Sequence, residues 1–167
     1  MDTTELYVLA QFDDETQTIL SGYDRILRRH GFTGTQTKNT PYHFTLGSQA
    51  AGRETDLLRE IDTICAETKA IDIRLDHIGL FGLNVLFIEP NMNFELQRLQ
   101  QRFFADCGNG YHLWTPHATI LIDEPETIQK ALPILAENFK PLHAKIQSVG
   151  LYAFSPTRLI KACGLIP

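Results

Sequence analysis

Cysteine is scarce in this chain of 167 residues. Cys65, Cys107 and Cys163 stand far apart, match no metal-binding or redox spacing, and their odd number argues against a disulfide framework. Long apolar runs are missing too: none approaches the roughly 20 residues that cross a bilayer. The opening Met1-Asp2-Thr3-Thr4-Glu5 is acidic where a secretory signal would be basic, so a cytoplasmic location is expected. Clustered positive charge is also absent. Net charge is −5, and no Lys/Arg run exceeds Arg28-Arg29. A protein that grips long nucleic acid shows a basic face, because phosphate neutralisation dominates that affinity. The expected partner is therefore a small molecule or a nucleic-acid end in a local cleft, not a long duplex and not a membrane.

What is present is enough to bury a core: 43% of residues are hydrophobic and 10% aromatic, suiting a single domain over 1–167. Leu6 to Phe12 reads as a buried strand. Asp13-Asp14 caps a helix, with Gln17 three residues after Asp14 and an apolar stripe of Ile19, Tyr23, Ile26 and Leu27. Arg28-Arg29-His30 suit its negative end and Gly31 stops it. A polar loop, 33–40, reads as a solvated connector, with a lip over a cleft as the alternative. It leads into Pro41-Tyr42-His43-Phe44-Thr45-Leu46. A helix from about 54 to 69 sets Leu57, Leu58, Ile61, Ile64 and Cys65 on one side. An alternating strand from Ile71 continues to Phe81, and Gly82-Leu83-Asn84 turns it into Val85–Glu89.

The order then recurs. A helix from about 93 to 107, stopped by Gly108, precedes a loop with Gly110, Tyr111, His112 and Trp114. Pro116-His117-Ala118-Thr119-Ile120-Leu121-Ile122 follows, and Asp123 caps a helix with Pro125 in its first turn. Strands over about 143–154 and 158–164 flank a turn at Ser155-Pro156. Ile78-Gly79-Leu80-Phe81 and Val149-Gly150-Leu151-Tyr152 hold equivalent places. Two copies of strand–helix–strand–helix–strand predict a bilobal, pseudo-two-fold α+β domain with antiparallel sheets and flanking helices. The lobes would cover about 1–82 and 83–167, with strands free to exchange between them and the histidine strands facing a central cleft. Nothing demands more than a monomer.

The repeated His-x-Thr followed by an aliphatic residue is the candidate site. Six histidines and sixteen threonines give roughly 0.6 such tripeptides by chance, so the weight lies in the shared strand context. In a strand, His43 and Thr45 share one face and Phe44 and Leu46 the other; His117 and Thr119 stand likewise against Ala118 and Ile120. Two imidazoles across a cleft can hold opposite protonation states near neutral pH, one accepting and one donating a proton. The threonine hydroxyls can hydrogen-bond phosphate oxygens, and their β-branch holds them in place. Phosphodiester chemistry at a ribose fits these groups with no metal and no cofactor.

His43-Phe44-Thr45-Leu46 and His117-Ala118-Thr119-Ile120, one in each half of the chain, resemble the paired motifs of the two-histidine (2H) phosphoesterase superfamily. That superfamily includes the 2′-5′ RNA ligase-like proteins and cyclic nucleotide phosphodiesterases. The likeness extends over nearly the whole chain, including Gly79-Leu80-Phe81 and Val85-Leu86-Phe87-Ile88. It implies a bilobal fold and metal-independent hydrolysis of a 2′,3′-cyclic phosphate or 2′-5′ phosphodiester on a small nucleotide or RNA end. It gives catalytic roles to His43, Thr45, His117 and Thr119 only. Many RNA ligase-like members carry an arginine three residues after the second threonine; here that position is Ile122. Arg158 or Lys161 could stand in, although a solvated edge-strand charge is the plainer reading of either.

Tyr42 and Trp114, beside the histidine strands, are the substrate-binding candidates, able to stack on a base or to serve as core or rim packing. His77 follows Ile71, Ile73 and Leu75 in the alternation and is expected in the core. Two rival functions remain open. One is a non-catalytic nucleotide-binding module of the same fold. The other is a metallohydrolase using His43 and His117, with His77 as an optional third ligand; it ranks last because neither motif places a carboxylate between its histidine and threonine.

Overall fold

The computed structural model describes residues 5–34, 40–104, 114–154 and 156–167. Strand β1 (Glu5–Phe12) buries Leu6, Val8, Ala10 and Phe12 in the main core, and turns Tyr7, Leu9 and Gln11 to the opposite face. Helix α1 (Asp14–Arg29) starts at Asp13, whose carboxylate accepts the Thr16 N–H at 3.0 Å. Its buried positions are Thr16, Leu20, Tyr23 and Leu27, while the expected Ile19 and Ile26 are half-buried. Gly31, at φ 87°, follows its C-terminal end.

Next come β2 (His43–Ala50), a 3-10 turn at Ala51–Arg53, and α2 (Glu54–Glu67), which buries Leu57, Ile61, Ile64 and Cys65. Strand β3 (Ile71–Phe81) turns through Gly82, at φ 54°, into β4 (Val85–Pro90). Helix α3 (Phe94–Phe104) is capped by Asn93, which accepts the Leu96 N–H at 2.9 Å. Its predicted extension to 107, Cys107, Gly108 and the loop residues Gly110, Tyr111 and His112 lie outside the described residues, as does Ser155.

Strand β5 (Ala118–Ile122) leads to α4 (Pro125–Asn138), whose cap position is Glu124 rather than Asp123. Proline takes the first helical position there, and the Asp123 carboxylate accepts the neighbouring Glu124 N–H, at 2.8 Å, rather than an N–H of the first helical turn. The chain ends in β6 (Leu142–Phe154) and β7 (Arg158–Gly164).

The expected α+β architecture with antiparallel strands is what the chain forms, joined into one seven-stranded sheet of order β2-β1-β6-β3-β4-β5, with β7 on β6. The join is β6. Along one edge it pairs with β1; along the other, its first part pairs with β3 and its later part with β7. A strand from the second half of the chain therefore extends the β1–β2 pair, and β3 from the first half extends β4–β5. Strands β2 and β5, at the two ends of this order, nevertheless approach each other, so the sheet curls on itself. Helix packing crosses between halves in the same way: α1 lies against α4 and β5, and α3 against β2. None of the described helices is long and apolar enough to cross a membrane.

Candidate active site

Each histidine motif is anchored from behind. Phe44, Leu46, Ala118 and Ile120 are at most 1% exposed, on the core side of their strands. Full burial of a Phe or Leu side chain contributes about 1.5–3 kcal/mol, enough to fix which face the polar residues take. Thr45 and Thr119 consequently line one cavity of about 420 Å³, together with His43 and Tyr42. That volume lies in the ordinary range of small-ligand sites. Tyr7, Thr40, Pro41, Ile122 and Phe154 complete its described walls.

Both imidazoles are held alike. His43 Nδ1 lies 2.7 Å from the Pro41 carbonyl, and His117 Nδ1 lies 2.9 Å from the Thr115 carbonyl. A carbonyl oxygen can only accept, so each Nδ1 carries a proton and donates it. The neutral ring then has its lone pair on Nε2, and the protonated ring has a donor there. Burial lowers the His43 pKa, and the charge of His117 adds to the effect, against the Pro41 hydrogen bond. His117 itself is not among the residues that line the cavity, although Thr119, two residues further along, is.

The His117 ring sits against two phenylalanines, edge-on to Phe81 at 4.6 Å and tilted to Phe87 at 5.2 Å between centroids. Phe87 can lie there because Gly79, its cross-strand partner, has no side chain; a Cβ on Gly79 would overlap the ring. Sequence reading missed both phenylalanines, although the glycine in an otherwise apolar strand was a signal of close approach.

Tyr42 is positioned by its backbone. The Gln17 side chain accepts the Tyr42 N–H at 2.8 Å and donates to the Tyr42 carbonyl at 2.7 Å. Burial, reinforced by the Asp24 carboxylate against an opposing effect of Arg28, pushes the Tyr42 phenol up to about 12. At neutral pH it is a hydroxyl donor. Trp114 does not line the cavity. It packs on the core and donates its indole N–H to the Thr45 carbonyl at 2.9 Å, tying the approach to the second motif onto the first.

His77 is not a core residue. A register irregularity between Leu75 and His77 breaks the alternation, leaving the side chain 52% exposed with Nδ1 2.9 Å from the Asp76 carboxylate. Neither basic residue of β7 reaches the cavity: Arg158 is exposed, and Lys161 pairs with Asp62 at 2.5 Å. Ile122, where the resemblance led one to look for arginine, does line it. Among the described residues no three His, Cys, Asp or Glu side chains gather as metal ligands.

A family model described as the 2′-5′ RNA ligase superfamily matches residues 24–157. Comparison with curated proteins gives no match. Among solved structures, E. coli LigT in apo form is similar over 100% of both chains, at 18% identity and a TM-score of 0.64. LigT complexed with phosphate also aligns over 100% of both chains, at 17% identity and a TM-score of 0.66. The Thermus thermophilus protein TT0787 aligns over 96% of this chain and 97% of its own, at 13% identity and a TM-score of 0.63. At such identities the structures establish the fold, and the family model covers most of the sequence. The chain belongs to the 2′-5′ RNA ligase superfamily, a group of two-histidine phosphoesterases.

Proposed function

We propose that this protein is a metal-independent phosphodiesterase that hydrolyses a 2′,3′-cyclic phosphate or a 2′-5′ phosphodiester of a small nucleotide or RNA end. One observation carries the reading. Both histidines spend Nδ1 on a backbone carbonyl, which leaves each Nε2 to exchange protons, and His43 lines one cavity with the threonines of both motifs. The Thr45 and Thr119 hydroxyls donate to non-bridging phosphate oxygens. One Nε2 takes a proton from water as the water oxygen bonds to phosphorus. The other gives its proton to the ribose oxygen as the old P–O bond breaks. One water is added across one P–O bond, and solvent returns the histidine pair to its starting protonation.

Family membership supports the phosphodiesterase class, and the relatives support the substrate class: E. coli LigT has been solved complexed with 3′-AMP and with phosphate. The test is a screen of the four nucleoside 2′,3′-cyclic phosphates and a set of 2′-5′ dinucleotides in the presence of EDTA. Turnover that survives chelation is the expected result. Activity lost to EDTA and restored by one divalent metal would put the histidine metallohydrolase in its place. Binding without turnover would favour a nucleotide-binding module, for which Ile122 in the cavity wall is the specific observation.

A further inference from the structure

The cavity has a second wall that the proposed chemistry does not use. Tyr7 on β1 and Phe154 on β6 both line it, half-buried, with ring centroids 4.5 Å apart and planes at 70°. Sheet register brings them to the face that carries the first motif. Leu9 pairs with Thr45, and Tyr7 lies two residues further along the same face of β1. On the other side of β1, Glu5 pairs with Phe154 and Tyr7 with Tyr152, so Phe154 stands diagonal to Tyr7.

Strand spacing of about 4.8 Å and a two-residue step of about 7 Å put the Tyr7 backbone roughly 8 Å from that of Thr45. A sugar spans a gap of this order between its phosphate and its base. An edge-to-face pair occupies only one ring face, so aromatic faces remain for another planar group. The Tyr7 hydroxyl donates to the Glu5 carboxylate at 2.7 Å, so it is the ring that is left for a base.

We propose that Tyr7 and Phe154 form a nucleobase subsite, with the base stacked on this aromatic pair while the ribose phosphate lies at the threonines. The position of the phosphate rests on the phosphodiesterase reading above; the aromatic pair itself does not. Neither residue belongs to a sequence motif, and Trp114, the more obvious stacking candidate, does not line the cavity.

The first arm of the test needs no variant. The wild-type protein is compared on adenosine 2′,3′-cyclic phosphate and on methyl ribofuranoside 2′,3′-cyclic phosphate, which has the same reacting group and no base. A stacked base should raise kcat/KM about five- to a hundredfold over the base-free probe. Tyr7→Leu and Phe154→Leu should each pull that ratio towards one, whereas Tyr7→Phe, which keeps the ring, should preserve it. Equal kcat/KM for the two wild-type substrates would overturn the subsite and leave the phosphodiesterase reading standing.

The second arm is calorimetric titration with adenosine 2′-monophosphate, which requires no turnover. Binding that weakens in Tyr7→Leu, in a protein that hydrolyses neither probe, would retain the subsite and remove the enzymatic reading. Binding unchanged in both folded leucine variants would overturn the subsite.

Discussion

The side-chain amide of Gln17 holds both backbone hydrogen-bonding groups of Tyr42, the residue before His43. A residue in the first turns of α1 thus sets the path of the chain into the first histidine strand, 25 residues later. It does so with one acceptor and one donor, which the amide side chain carries on two separate atoms.

Gln17→Leu would leave the Tyr42 N–H and carbonyl without this partner. The expected stability loss is about 1–3 kcal/mol. Because His43 is next in the chain and bonded to Pro41 on its other side, kcat should fall by roughly ten- to a hundredfold, far below the melting temperature. Gln17→Glu keeps the acceptor for the N–H alone and should recover part of the rate. A lowered Tm with unchanged kcat would show that the clamp only braces the fold.

Thr45→Val and Thr119→Val keep the β-branched shape and remove the hydroxyl. If these groups hold the phosphate, each folded variant should lose about 10²–10³ in kcat, as for the loss of one oxyanion donor. Steady-state kinetics on the best cyclic phosphate decide it. Full kcat in both variants would make the hydroxyls structural.

The features that were legible in the sequence are those set by local periodicity. Phe44 with Leu46, and Ala118 with Ile120, alternate with the histidines and threonines, so their burial followed from the pleat. Gly82 marked the β3–β4 turn, and the repeated order of elements gave the fold class. What was hidden depends on register or on long-range polar contacts. His77 turns outward because of an irregularity that no alternation rule contains. Tyr7 and Phe154 meet only because β1 pairs with β6, across most of the chain. The Gln17 amide looked like part of a helix cap, yet it bonds the backbone of Tyr42.

The His43 environment also predicts how stability changes with pH. The unfolded imidazole titrates at its ordinary 6.5, and burial lowers the folded value below that. Well above pH 6.5 both states are neutral and His43 has no effect. As pH falls through that point, the unfolded chain takes up a proton that the folded one resists, so stability declines. The decline levels off once the folded ring is protonated too. Urea titrations at stepped pH should show this loss in the wild type and a smaller one in His43→Asn; equal losses would mean that His43 is not the group responsible.

The most direct test of the two-histidine account is the pH–rate profile of kcat/KM on a nucleoside 2′,3′-cyclic phosphate, for the wild type and for His43→Ala and His117→Ala. With one proton shared between a base and an acid, the wild-type profile should be a bell whose limbs belong to the coupled pair. Each alanine variant should lose one limb and about 10²–10⁴ in kcat. A substrate with an activated leaving group should rescue only the variant that lacks the acid. A wild-type profile flat from about pH 5 to 9, or alanine variants as active as the wild type, would contradict the account.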